Sequence, residues 1–417
     1  MAIIKPFKAI RPAPDKVHLV ASRSVDNYTK QELNIKLATN PYSFMHIIKP
    51  EHISENKSKA NSTELLYKIK KAYTNFLDEE VFIADDAESI YVYNQVSIKG
   101  NFTGFLACAA ATDYLNNNIK LHEQTLSEKE EKLKQYLEIC DFNAEPVCFA
   151  HDYDADLETI LNTTKINEFA IYDFTTADKV RHKVWKLTDK KIIQDIQAVF
   201  NKLKCIYIAD GHHRSASSTR LAQWHKDKNE SHTGNENYNY FLGIFFSETQ
   251  LKIVEFNRLI KDLNGLSSEE FLSKLHLNFE VQKVHTNDRK SAQINSINLY
   301  LNKCWYSLQP KPNTFDSNHP VYSLDAQILS DNILANILNI NDLRTDTRVS
   351  FVPGIKPIAE LEKSVDSGKF AAAFVLHPVS MVQLKNVANS GQIMPPKSTW
   401  VEPKLRSGLI IFDLERS

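Results

Sequence analysis

Glycine is scarce in this chain, ten in 417 residues. That excludes a broad glycine-rich nucleotide loop, and neither a GxxxxGK[ST] phosphate loop nor a kinase-type glycine-rich loop occurs. Cysteine is scarcer. Cys108, Cys140, Cys148, Cys205 and Cys304 lack CxxC spacing and sit mostly among apolar residues. They read as reduced core residues of a cytoplasmic protein, not as metal ligands or disulfides. Excess charge is absent too: fifty basic and fifty-one acidic residues leave a formal net charge of −1. That argues against a broad nucleic-acid face. No apolar run approaches the length of a membrane span. The start, Met1-Ala2-Ile3-Ile4-Lys5-Pro6, has no apolar core or cleavage pattern of a signal peptide. Internal repeats and low-complexity tracts are missing as well.

What is there is an ordinary globular composition, 42% hydrophobic and 24% charged, over a length that suits two or three domains. The most informative stretch is Lys204–Ser218. Cys205-Ile206-Tyr207-Ile208-Ala209 has the composition of a buried strand. Asp210-Gly211 breaks it, and His212-His213-Arg214 lead into a helix beginning at Ser215. Strand, glycine turn and helix start together leave backbone N–H groups unpaired, a setting that favours an anion. With an arginine fork and two imidazoles the ligand indicated is a phosphate. The structural alternative is a turn carrying surface histidines.

Around this stretch the order is β–β–α–β–α. Residues 168–187 read as two strands joined by a turn. Thr188-Asp189 caps a helix over Lys190–Leu203, with Ile192, Ile193, Ile196, Val199 and Phe200 on one face. Upstream, Val17–Ser22 is a strand candidate and residues 53–62 a polar loop. Ser62-Thr63-Glu64 caps a helix reaching Phe76, Ser89–Ile98 alternates as a strand, and Phe105–Leu115 reads as a helix. Ser127–Cys140 is a charged helix with a solvated face. His122, Glu123 and Thr125 stand in the loop just before it. Downstream, residues 225–239 read as a mobile polar loop and a lid candidate. Tyr240–Phe246 and Leu251–Phe256 look like a hairpin. Residues 267–302 are a polar α/β mixture, Leu324–Leu338 and Ala359–Gly368 are helical, and Ala371–Leu376 is a buried strand. Met394-Pro395-Pro396-Lys397-Ser398-Thr399 sets two prolines before a lysine and a serine. An extended backbone there holds Lys397 and Ser398 rigidly, or serves only as a structural loop.

These motifs resemble the bacterial family known as domain of unknown function 1015. The resemblance rests on Pro6–Arg11, Lys120–Thr125, Ile208–Arg214, Tyr238–Leu242, Asn257-Arg258 and Met394–Thr399. One departure is Ser24-Val25-Asp26, where members commonly carry Pro-Tyr-Asp. The central turn is also similar to that of the ParB/sulfiredoxin superfamily, which includes free-serine kinases. Sulfiredoxin has Gly-Cys-His-Arg where this chain has Gly211-His212-His213-Arg214, so sulfinic-acid reduction is not implied. Nor is ParB activity, because no helix-turn-helix or basic surface accompanies the turn.

The resemblance implies a mixed α/β (α+β) fold with a ParB/sulfiredoxin-like core around the strand–DGHHR–helix unit. The regions expected are 1–160, 161–285 with the core, and 286–417 with the MPPKST loop. It implies a small-molecule phosphotransferase, with L-serine or phosphoserine as substrate because members are often encoded beside serine-biosynthesis enzymes. Phosphoryl transfer asks for positioning and charge neutralisation more than covalent chemistry. Gly211, His212, His213 and Arg214 are then assigned to the donor phosphates, and Asp210 to Mg²⁺ or to orienting a histidine. Glu123 is the general base with His122 beside it. Lys397 and Ser398 meet a phosphate or carboxylate, and Arg258 the substrate carboxylate. ATP, ADP and pyrophosphate all remain as donors. Two other readings stay open: a metal-dependent phosphatase or hydrolase using Asp210, His212 and His213, and a nucleotide-binding module without turnover.

Overall fold

A computed structural model describes residues 2–52, 57–285 and 293–415. Part of the 53–62 loop and part of the 267–302 stretch lie outside them. The chain divides into two compact units. One comprises Met1–Lys120, Thr125–Leu251 and Pro403–Ser417, the other Leu121–Gln124 and Lys252–Glu402. Both are mixed α/β.

The first unit is built on a nine-stranded sheet. Its order is Ile119–Lys120, Ile206–Asp210, Val147–His151, Tyr240–Ser247, Gly100–Ala110, Ile90–Ser97, Arg181–Leu187 and Tyr172–Thr175, with Ile4–Lys5 also beside Gly100–Ala110. The β–β–α–β–α order around the central motif is present. Asp189 accepts from Lys191 N and Ile192 N to cap the Lys190–Lys202 helix, which buries Ile193, Ile196, Val199 and Phe200. A second, four-stranded sheet places Ile411–Asp413 between Ala9–Pro12 and Phe142–Asn143. The last strand of the chain is thus held between two early ones.

Several local readings are corrected. Residues 105–110 belong to the Gly100–Ala110 strand, and helix occupies only Ala111–Leu115. The run Phe105-Leu106-Ala107-Cys108-Ala109-Ala110 is buried throughout. A strand covered on both faces loses the alternation that would distinguish it from a helix. Val17–Val20 is a single helical turn, not a strand. The hairpin expected over 240–256 does not form. Tyr240–Ser247 pairs with Gly100–Ala110 and Val147–His151, whereas Lys252–Val254 pairs with Trp400–Glu402. The chain leaves the first unit between those strands. The 225–239 loop is also shorter and more tied than a lid requires: helix continues to Lys228. Glu236 then accepts from Asn239 Nδ2 and from the backbone N–H groups of Thr233 and Gly234, and hydrogen bonds from Thr233 first and Gly234 after it hold its carboxyl down at about 2. Four cysteines are buried, and burial pushes the Cys148 thiol up to about 12.

The second unit carries a six-stranded antiparallel sheet in the order Phe279–Val284, Cys304–Pro310, Ile297–Leu301, Ala372–Val375, Phe256–Ile260 and Val349–Pro353. Adjacent residues serve opposite faces, as strand geometry requires. Ile260 and Leu299 join a core with Phe271, Leu275 and Leu329, whereas Leu259 and Tyr300 join one with Trp305, Leu361 and Val365. Asp325–Leu329 begins the helix expected over 324–338, but Ser330–Ala335 continues it as a π-helix. Among the described residues no helix is long and apolar enough to cross a membrane.

The C-terminal strip is tied into the first unit by a polar relay. Arg406 Nε donates to His182 Nε2 at 3.2 Å, so that nitrogen is the acceptor and the ring proton lies on Nδ1. Nδ1 faces Tyr93 Oη at 2.8 Å, and Tyr93 donates onward to Gln95 Oε1 at 2.9 Å. Asp178 neutralises Arg406 at 2.7 Å. Burial, with the Arg406 charge beside it, lowers the His182 pKa from 6.5 to about 3. The folded state therefore resists a proton that the unfolded chain accepts. Stability is full above pH 6.5 and falls as pH drops from there toward 3. We expect His182 to account for about 2 kcal/mol of lost stability between pH 7 and pH 5. Urea unfolding of the wild type and His182→Gln at both values checks this: the difference between pH values must shrink in the variant.

Candidate functional site

The Ile206–Asp210 strand runs through Gly211 into the His212–Lys228 helix. Gly211 has φ +104°, a backbone conformation that side chains disfavour. A Cβ there would lie 3.1 Å from both Nε and Nη2 of Arg214. Glycine therefore permits the turn and lets the arginine fold back over it. Arg214 Nη1 donates to Pro146 O at 2.6 Å and lies 3.6 Å from Glu145 Oε2, while Nη2 donates to Asp210 Oδ2 at 3.3 Å. The helix has no side-chain N-cap, so its first-turn N–H groups are not taken by a capping residue.

His212 and His213 occupy successive helical positions and so face different ways. His212 is buried, 5% exposed, whereas His213 is half-buried. Of the two, His213 is the one with surface to offer a ligand. Asp210 faces two cations, Arg214 at 3.3 Å and Lys404 Nζ at 3.5 Å. Among the described residues no group of three or more His, Cys, Asp and Glu could hold a metal ion. A single carboxylate already faced by two cations does not fit a resident metal, and the expected Mg²⁺ ligation by Asp210 is not supported by this geometry.

The same helix borders a cavity of 370 Å³ within the first unit. That size lies in the range of about 300–1,000 Å³ typical of small-molecule sites. Met45, Leu65, Leu66, Ile69, Tyr136 and Phe142 supply much of its apolar wall, and Arg214, Ser217 and Ser218 contribute from the helix. Its charged lining is Lys49, Lys132 and Arg214 against Glu145, an excess of positive charge. Ser24 and Val25, the departure from the family pattern, are on the wall too. The Ser127–Cys140 and His212–Lys228 helices come close because Ser217 is small: its Oγ lies 3.0 Å from Glu130 O and 2.7 Å from His213 O. Ser217, Ser218 and Glu145 were not singled out from the sequence. The one signal for the serines was the small-residue run Ser215–Ser218, which allows a neighbouring helix to approach.

The remaining predicted residues fall in the second unit, which brings them together. Met394 N donates to His122 O at 2.9 Å, joining the His122-Glu123 segment to the MPPKST loop. Ser398 Oγ donates to Pro395 O at 2.7 Å, and Lys397 takes φ +55°. Arg258 Nη2 donates to Pro396 O at 3.3 Å and Lys397 O at 2.9 Å. Arg258 is 1% exposed, so it does not present its guanidinium to a substrate carboxylate as the sequence suggested. His122 is equally buried, while Glu123 is half-buried and Lys397 exposed.

Comparison with known proteins places the chain in a family. Residues 4–327 match the family described as Protein of unknown function (DUF1015), and the chain belongs to it. No curated protein matches. Among solved structures, a free serine kinase in complex with AMP is similar at 12% identity, covering 72% of this chain and 88% of that one, with a TM-score of 0.38. SbnI with a C-terminal truncation, from Staphylococcus aureus, is similar at 13% identity, covering 73% and 85%, with a TM-score of 0.40. A conserved hypothetical protein from Pyrococcus furiosus is similar at 12% identity, covering 72% and 93%, with a TM-score of 0.35.

The turn geometry yields a direct test. Gly211→Ala forces a side chain into the left-handed turn and against the guanidinium, and is expected to lower unfolding free energy by about 1–2 kcal/mol. Denaturant unfolding of the two proteins measures it, and an unchanged midpoint would contradict the account of Gly211.

Proposed function

We propose that the chain is a small-molecule phosphotransferase that takes its phosphoryl group from a nucleotide and transfers it to a free amino-acid hydroxyl, with L-serine as the acceptor. The observation that carries the reading is the first unit's cavity: an apolar slot bordered by Arg214 and the first turns of an uncapped helix, with positive charge in excess. An apolar wall suits a base, and backbone N–H groups with a guanidinium suit phosphates. Pyrophosphate would leave the apolar wall without use, which favours ATP or ADP.

The roles follow from chemistry. Gly211, His213 and Arg214 hold donor phosphates and spread the charge that develops on the transferred group. Glu123 takes the proton from the serine hydroxyl as the serine oxygen forms its bond to phosphorus. The bond from phosphorus to the leaving nucleotide oxygen breaks in the same transfer, and phosphoserine and the shortened nucleotide depart. Magnesium enters as part of the donor, bound to its phosphates, and no step is assigned to a protein-held ion.

The assay offers purified protein L-serine with the magnesium complexes of ATP, ADP and pyrophosphate in separate reactions and measures phosphoserine. We expect product with a nucleotide. Glu123→Gln should lower kcat by about 10²–10⁴-fold while leaving nucleotide affinity within a few-fold. Arg214→Ala should weaken nucleotide affinity itself. Phosphate released from phosphoserine without any transfer would favour a hydrolase. Nucleotide binding without either reaction would leave a binding module.

A further inference from the structure

Arg258 is fully buried, yet among the described residues no carboxylate lies within ion-pair distance of it. Its donors end on backbone carbonyls: Phe256 O at 2.7 Å, Pro396 O at 3.3 Å and Lys397 O at 2.9 Å. Its guanidinium carbon lies 4.5 Å from the Phe351 ring centroid. Burial pushes its pKa down to about 9, with no neighbouring acid to raise it. A buried cation without a counter-charge is costly and persists where something else repays it.

What this cation holds is the Lys397 turn. Lys397 sits at φ +55°, a conformation unusual for a long side chain, and two of the three Arg258 contacts are to the carbonyls on either side of it. Pro395 and Pro396 restrict the approach to the turn, and Ser398 Oγ closes it onto Pro395 O. The Lys397 ammonium stands 5.8 Å from the Phe256 ring centroid, with no ion pair to any described acid. Two cations thus meet at one short loop, the exposed Lys397 on it and the buried Arg258 reaching it from the Phe256–Ile260 strand, and residues 394–399 carry no compensating carboxylate.

We propose that the clamped Lys397 turn is a subsite for an anionic group of the acceptor, its carboxylate in the case of serine. Lys397 Nζ is the contacting atom, and Arg258 is a positioning residue that acts only through the turn. The proposal rests on the phosphotransferase reading for the identity of the acceptor. The binding geometry belongs to the second unit alone.

The test is equilibrium binding of O-phospho-L-serine and, separately, AMP, measured by titration calorimetry on the full chain. The proteins are wild type, Lys397→Met, Arg258→Met, the double variant and Arg258→Lys. Lys397→Met is expected to weaken phosphoserine binding at least 10-fold and Arg258→Met comparably, with the double variant no worse than either. Arg258→Lys keeps the charge with fewer bonds and should recover part of the affinity, and it serves if Arg258→Met does not fold. AMP affinity should stay within twofold throughout. Hydrogen exchange at residues 394–399 should rise in the Arg258 variants alone. Phosphoserine affinity unchanged in the Arg258 variants despite faster exchange would overturn the positioning role. Additive losses in the double variant would overturn it as well. Wild-type binding of AMP but not phosphoserine would overturn the subsite and leave the nucleotide reading standing. Phosphoserine binding without AMP would do the reverse.

Discussion

The return of Arg214 across the Gly211 turn is the contact on which the first unit's site depends. The guanidinium lies 3.1 Å from where a Cβ at 211 would stand, and it is fastened there by Pro146 O, Asp210 and Glu145. Two consequences follow. The cation is fixed at the mouth of the helix instead of sweeping solvent, so little side-chain freedom remains to be lost when an anion arrives. Its charge is also shared with two carboxylates. An anion must therefore draw on the helix N–H groups and on Lys49 and Lys132 as well as on Arg214, which favours a ligand with several charged oxygens over a single carboxylate.

The cavity beside that turn exists because distant segments close around it. Phe142 and Asn143 form an edge of the four-stranded sheet, and Ile411–Asp413 lies next to them. Ser407, four residues earlier, lines the cavity and donates to Glu145 Oε1 at 3.0 Å. Its backbone is also paired with that of Ser22. The C-terminal strip thus holds in place the same Glu145 that restrains Arg214. The Arg406–His182 relay fastens this strip from its other side. The strip's ordering and the site's geometry are one problem in packing.

Local chemistry was legible where its signal is local. The Asp189 and Ser62 caps, the Ile193–Phe200 face and the strand–glycine–helix passage at 206–214 are all set by residues a few positions apart, and they appear as read except that the helix begins at His212, three residues before the expected start at Ser215. The Phe105–Ala110 run was not legible, because burial on both faces removes the periodicity that separates strand from helix. The 240–256 hairpin failed for a related reason: an apolar strand says that it has neighbours but not which ones. The cavity left no mark on the sequence at all. Leu65, Leu66 and Ile69 look the same whether their helix face meets another side chain or a space.

Arg258 shows how a correct residue can be read with the wrong role. Arginine near a supposed anion site suggests direct contact, and sequence carries no measure of exposure. Its burial leaves only indirect action, through the carbonyls it holds. The contrast with Arg214 is electrostatic. Arg214 is flanked by two carboxylates of its own protein and borders a cavity, so it has both partners to exchange and a surface to present. Arg258 has no acid to exchange and no surface to present. Its charge is felt only as a field on its neighbours and as rigidity in the Lys397 turn, and both effects raise the attraction of that turn for an anion without any contact from Arg258 itself.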